Sequence, residues 1–183
     1  MNMTPNIEDK QIIESIRGGT EQGFRLLIKK FKQPVYWHIR RMVVAHDDAQ
    51  DATQETFISI YRNIHQLKDS KSLRGWIFRI ATNEALDMIA SRRQEKVSLD
   101  QAPTVADKLT SGNYVDYTDL EAVKLQKAIL ALPTKQQLAF NMRYYDEMGY
   151  DEIGEALGSS ASSAKTNYHI AKEKIIKYMN ANN

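Results

Sequence analysis

Cysteine is absent from all 183 residues, which excludes disulfides and thiolate metal sites and suits a reducing compartment. Proline occurs only 4 times and glycine 8 times, so long stretches are free to remain helical. No apolar run approaches the roughly 20 residues that span a bilayer. The opening MNMTPNIEDKQ is too polar for a secretory signal. The expected location is therefore cytoplasmic, without membrane insertion. No segment alternates convincingly between apolar and polar residues, so strands are not expected. What is present is 42% hydrophobic and 26% charged residues, enough apolar material to bury a core.

A strong excess of either charge is also missing. The net charge is +2, but it is unevenly spread. Residues 1–93 carry +4, residues 94–120 carry −3 and residues 121–183 carry +1. Near the end, Lys165, Lys172, Lys174 and Lys177 face Glu173 alone. A polyanion would meet two basic regions separated by an acidic connector; solvated helix faces are the plainer explanation of the same pattern.

Apolar residues in the first half recur at three- and four-residue steps, the helical period. Ile12, Ile13 and Ile16 mark a short helix that Gly18 and Gly19 end. Thr20 can cap a second helix, with Phe24, Leu27, Ile28 and Phe31 on its inner face. Pro34 suits the start of a third, followed by Val35, Ile39, Met42 and Val43. Asp47 or Asp48 caps a fourth, running to about Asn63. A fifth covers roughly Leu73 to Arg93, with a broad apolar arc from Trp76 to Ala81. The stretch 94–117, with Pro103 and Gly112, has no periodicity and reads as a flexible linker. The expected division is thus a helical unit at 1–93, a linker at 94–117 and a second helical unit at 118–183.

From Tyr150 the second unit reads YDEIGEALGSSASSAKTNYHIAKEKI. Ile153 and Leu157 give a short helix its inner face, and Gly158 can adopt the positive φ of a sharp turn. Ser159 or Ser160 can cap the next helix, whose inner stripe is Ala164, Tyr168, Ala171 and Ile175. Gly154 leaves little bulk where the two helices cross. This is a helix-turn-helix pattern, whose second helix enters the DNA major groove. Its outer face carries Ser162, Ser163, Lys165, Thr166, His169 and Lys172, groups that reach phosphates and base edges. A plain helical hairpin with a polar outer face has the same local pattern.

Three segments, in order, then point to a family. DDAQDATQETFISIYRNI (47–64), LRGWIFRIATNEALDMIASRR (73–93) and ALPTKQQLAFNMRYYDEMGYDEIGEALG (131–158) resemble bacterial RNA polymerase sigma factors of the extracytoplasmic-function group. The resemblance implies two helical domains. The first binds the polymerase clamp and the melted minus-ten element; the second reads the minus-thirty-five element as duplex. It implies core RNA polymerase and promoter DNA as partners, an anti-sigma factor as a common third, and no cofactor, metal or catalytic residue. On the fourth helix Asp48, Asp51, Glu55, Ile58 and Arg62 share one stripe at steps of three and four, while Ala49, Ala52, Thr53, Thr56 and Ile60 turn inward. The resemblance gives that stripe, with Gln54, to the polymerase. Melted DNA needs a cationic track and a pocket for an unpaired base. Lys68, Lys71, Arg74 and Arg79 fit the track; Asp69 and Ser70 offer polar groups, and by resemblance Asn83 lines the pocket. Trp76 and Phe78 read as core. The chain departs from the family at Ser162, Ser163 and Ala164, where Gly-Thr-Val is usual, at Ile170 and at Ser159; these positions bear on which promoter is read.

Two other readings use the same residues. Asp47 to Asp51 fits the DDxxD pattern with which helical enzymes hold magnesium and diphosphate. Its second acidic cluster would have to come from Asp146, Glu147, Asp151 and Glu152. A one-component helix-turn-helix regulator would share the C-terminal unit but would not require the acidic stripe.

Overall fold

The computed structural model describes residues 7–19, 21–43, 45–67, 73–97 and 119–181. These form eight α-helices and, among the described residues, no strand: α1 (Ile7–Arg17), α2 (Glu21–Arg40), α3 (His46–Asn63), α4 (Leu73–Val97), α5 (Leu120–Leu130), α6 (Thr134–Tyr144), α7 (Tyr150–Leu157) and α8 (Ala161–Ala181). No helix among them is long and apolar enough to cross a membrane.

Three local expectations need correction. Pro34 does not start a helix; α2 runs through it. Leu27, Phe31, Val35 and Ile39 are buried at four-residue steps, while Pro34 lies on the exposed side. Burying such side chains contributes about 1.5–3 kcal/mol each, which outweighs the ~3 kcal/mol cost of an interior proline. Neither Asp47 nor Asp48 caps α3. The N-cap is Ala45, without a side-chain hydrogen bond, and both aspartates sit in the first turn, where they oppose the helix dipole. Helix α4 continues past Arg93 to Val97. Thr20 and residues 98–117 lie outside the described residues.

The second half follows its local signals closely. Asp119 caps α5, accepting from the N–H groups of Glu121 and Ala122 at 3.0 and 3.1 Å. Leu132 and Pro133 separate α5 from α6. Gly158 ends α7 at φ 59°, and Ser160 Oγ accepts the Ser163 N–H at 3.1 Å, opening α8. A Cβ on Gly154 would stand 2.9 Å from the Ser159 carbonyl oxygen and 3.0 Å from the Ala161 nitrogen, so only glycine lets the turn close this tightly.

The cores do not divide where the chain pattern does. Leu27, Ile39, Ile60, Leu73, Ile77 and Phe78 from the first half share one buried cluster with Ala139, Met142, Met148, Ile153 and Ala164 from the second. A smaller cluster joins α5, α6 and α8 through Ile129, Phe140, Ala171 and Ile175. Helix α7 packs directly on α4.

Candidate nucleic-acid interface

Helix α3 presents two faces of different chemistry. Ala49, Ala52, Thr53, Thr56 and Ile60 are buried, with both threonine hydroxyls donating to carbonyls one turn back, those of Ala49 and Ala52. Asp51, Gln54, Glu55, Ile58 and Arg62 are exposed, as the spacing predicts. Asp48 departs from the stripe: its carboxylate is 16% exposed and meets Arg92 at 2.5 Å. The sequence reading also missed part of this surface. Phe24 and Ile28, expected to face inward, line an apolar groove between α2 and α3 with Phe57, Ile58 and Tyr61. Phe24 packs edge-on against Tyr61 at 5.1 Å. Periodicity alone could not separate these from core residues, because they border the buried stripe.

Helix α4 carries the next set. Arg79 and Asn83 are exposed, one turn apart, so Asn83 is not an interior amide. Phe78 is fully buried and Trp76 packs against the core, as expected. Arg74 lies apart from a free track: it donates to the Asp146 carbonyl and stands 4.0 Å from the Glu152 carboxylate. Lys68, Asp69, Ser70 and Lys71 lie outside the described residues.

The helix-turn-helix face is assembled as its pattern predicts. Ala164, Ala171 and Ile175 are buried on α8, and Tyr168 stacks on Phe140 at 5.9 Å. Ser162, Lys165, Thr166, His169 and Lys172 are exposed and Ser163 half-buried. The Thr166 hydroxyl donates to the Ser162 carbonyl at 3.0 Å, which holds it against the helix.

A buried polar cluster, unforeseen in the sequence, joins the two halves. Asp146 Oδ1 accepts from Arg41 at 2.7 Å, and Oδ2 lies 3.2 Å from His38 Nδ1. His38 Nε2 is 2.9 Å from Thr82 Oγ1, which donates to the Phe78 carbonyl. The Arg41 guanidinium also lies over the Tyr145 ring at 4.7 Å. Burial pushes the Tyr145 phenol above its ordinary value of 10.0, while the hydrogen bond from Gln126 and the charge of Arg41 act in the opposite direction. No sequence pattern links His38 to Asp146, which are 108 positions apart. The cluster also weakens the magnesium-enzyme reading, since Asp48 and Asp146 are both committed to arginines.

A chain that is all-helical among its described residues, and whose last two helices form a helix-turn-helix with a cationic, hydroxylated outer face, has the make-up of a DNA-binding protein of transcription. The Sigma-70 region 2 family model matches residues 27–95, and the Sigma-70, region 4 model matches residues 122–175. The chain belongs to the sigma-70 family of RNA polymerase sigma factors, in its extracytoplasmic-function group, and acts in transcription initiation. It is 26% identical over 179 residues to the ECF RNA polymerase sigma factor SigW of Bacillus subtilis, covering 93% of this chain and 96% of that one. It is 24% identical over 182 residues to the ECF RNA polymerase sigma-E factor of Escherichia coli K12, covering 94% and 95%. Among solved structures, CnrH in complex with the cytosolic domain of CnrY aligns with TM-score 0.72 at 16% identity, over 96% of this chain and 99% of that chain. The sigma factor RpoE in complex with the anti-sigma factor NepR from Bartonella quintana aligns with TM-score 0.68 at 18% identity, over 87% and 98%. The fold is that of these proteins, and the family is one of non-enzymatic transcription factors.

Proposed function

We propose that this sigma factor divides its work among three faces. The exposed side of α3, with Asp51, Gln54, Glu55, Ile58 and Arg62 beside the groove of Phe24, Ile28 and Tyr61, binds core RNA polymerase. Helix α4, through Arg74, Arg79 and Asn83 and with the preceding residues Lys68, Asp69, Ser70 and Lys71, holds the melted minus-ten strand. The outer face of α8, with Ser162, Ser163, Lys165, Thr166, His169 and Lys172, reads the minus-thirty-five duplex. The protein works in the cytoplasm and performs no catalysis of its own. An anti-sigma factor is a further expected partner, since RpoE of Bartonella quintana was solved with one.

The observation that carries this reading is the separation of chemistries. An acidic and apolar face on α3 suits a protein partner, whereas hydroxyls and cations on α8 suit phosphates and base edges. The test is co-purification with core polymerase followed by run-off transcription from candidate promoters. Specific transcripts support the assignment. Promoter binding by the isolated chain without any association with core enzyme would instead favour an independent regulator.

A further inference from the structure

Helix α8 carries an apolar side chain on a face that is otherwise polar. Ala164, Ala171 and Ile175 are buried and fix how the helix is rolled against its neighbours. At about 100° per residue, Ser162, Thr166 and His169 then lie within roughly 40° of the outward direction, with Lys165 and Lys172 on one flank. Ile170 falls about 60° from the outward direction on the other flank, one turn after Thr166. It is 37% exposed. Beyond it, Lys174 is engaged elsewhere, donating to Gln136 Oε1 at 2.9 Å. A single exposed isoleucine is ordinary on a protein surface; this one stands beside residues that reach base edges.

Thr166 adds to the same strip. Its hydroxyl has one proton, which goes to the Ser162 carbonyl at 3.0 Å. None is left to donate to the O6 or N7 of a guanine. The methyl is the part of this exposed side chain that no hydrogen bond engages. We propose, resting on the assignment of α8 to minus-thirty-five duplex, that Thr166 and Ile170 form an apolar strip that reads thymine by contact with its C5-methyl group. The thymine methyl is the one apolar group that base edges present in the major groove, and an aliphatic side chain has nothing to offer a phosphate. The exposed carboxylate of Glu173, three residues on, disfavours a phosphate beside Ile170 and leaves a methyl unopposed. Lys165 and Lys172 on the opposite flank suit the phosphates that hold the helix in the groove. Thr166 and Ile170 are about 6 Å apart along the axis, less than two base-pair steps of ~3.4 Å. Their contacts therefore fall on thymines within two base pairs of each other. Ile170 is a position at which the chain departs from the sigma-factor pattern, so the preference is this chain's own.

The test uses the full-length chain assembled with core polymerase, and a duplex that this complex selects from a library randomised across the minus-thirty-five element. Each thymine of that duplex is replaced singly by deoxyuridine, which removes the methyl and keeps every hydrogen-bonding group. One or two replacements, within two base pairs of each other, should weaken binding at least threefold, the scale of one buried methyl. Thr166→Ser, which drops the methyl and keeps the hydroxyl, should bind the thymine and uracil duplexes alike at one of those positions, and Ile170→Ala at the other. Thr166→Val, which keeps the methyl and drops the hydroxyl, should still prefer thymine. The uracil series is read on the unmodified chain, so it decides even where a variant fails to fold. Equal binding of every uracil duplex overturns the methyl reading. A thymine preference that Thr166→Ser and Ile170→Ala both leave intact overturns the assignment to these two residues. An Ile170→Ala loss of equal size on both duplexes removes Ile170 from the strip. Failure of the underlying assignment looks different: the complex then selects no sequence at minus thirty-five, and replacing Lys165 and Lys172 with Ala leaves its binding to duplex unchanged, which overturns both readings.

Discussion

The guanidinium of Arg92 meets the carboxylate of Asp48 at 2.5 Å and ties α4 to the first turn of α3. Asp48 is thereby taken out of the acidic stripe on which periodicity had placed it. Asp51 and Glu55 remain exposed one turn apart, beside the groove lined by Phe57, Ile58 and Tyr61.

Charge reversal should therefore discriminate within the stripe. Asp51→Lys with Glu55→Lys should lower affinity for core polymerase at least tenfold while changing stability by no more than about 0.5 kcal/mol, as surface substitutions do. Binding assays and thermal melts check this. A variant that melts early but binds normally would show that the stripe serves the fold.

On α8, Lys165 and Lys172 are exposed cations two turns apart. Replacing both with Ala should weaken binding to minus-thirty-five duplex and lower the salt slope by about two units, one per lost phosphate contact. Binding of single-stranded minus-ten oligonucleotide should be unchanged. Equal losses on both probes would mean that the two DNA sites are not separate.

Arg79 and Asn83 act, on the proposed reading, only once bases have unpaired. Arg79→Ala with Asn83→Ala should slow open-complex formation on duplex promoters. The defect should shrink on templates mismatched across the minus-ten element, where the unpairing cost of a few kcal/mol is already removed. Permanganate reactivity of promoter thymines reports both. Opening of the duplex promoter at the wild-type rate would remove these two residues from the site.

Gly154 is set against backbone, not against a flexible side chain. Gly154→Ala should lower stability by about 1–3 kcal/mol through overpacking, exceeding the ~1 kcal/mol gain in helix propensity. Denaturant titration measures the difference. An unchanged or raised midpoint would show that the turn yields at little cost.

Tyr145 supplies a prediction with a sign. Its folded value is raised above 10.0, chiefly by burial, so the unfolded chain loses this proton first. The stabilising contribution is complete below pH 10.0 and is lost as pH rises through the raised folded value. Tyr145→Phe should remove that part of the alkaline decline in stability. Identical pH dependence in both proteins would place the decline elsewhere.

Local signals carried most of the fold's description. The apolar stripes of α3 and α8, Gly158 at positive φ, Ser160 as a cap and the exposed polar face of α8 were all legible. Each depends on residues within a turn or two of one another, where steric and hydrogen-bond rules act directly. The family's three segments were equally legible as contiguous strings. Tertiary structure decided what local rules leave open. It carried α2 through Pro34, because a continuous buried stripe outweighs one lost hydrogen bond. It left Phe24 and Ile28 half-buried at the edge of the core, where they also line a groove, since helical period gives a direction but not the depth of cover. It joined His38 and Arg41 to Asp146 and set Gly75 against Glu155. Such pairings depend on which helix faces meet, and the packing of whole helices selects those faces, not the spacing along any one of them.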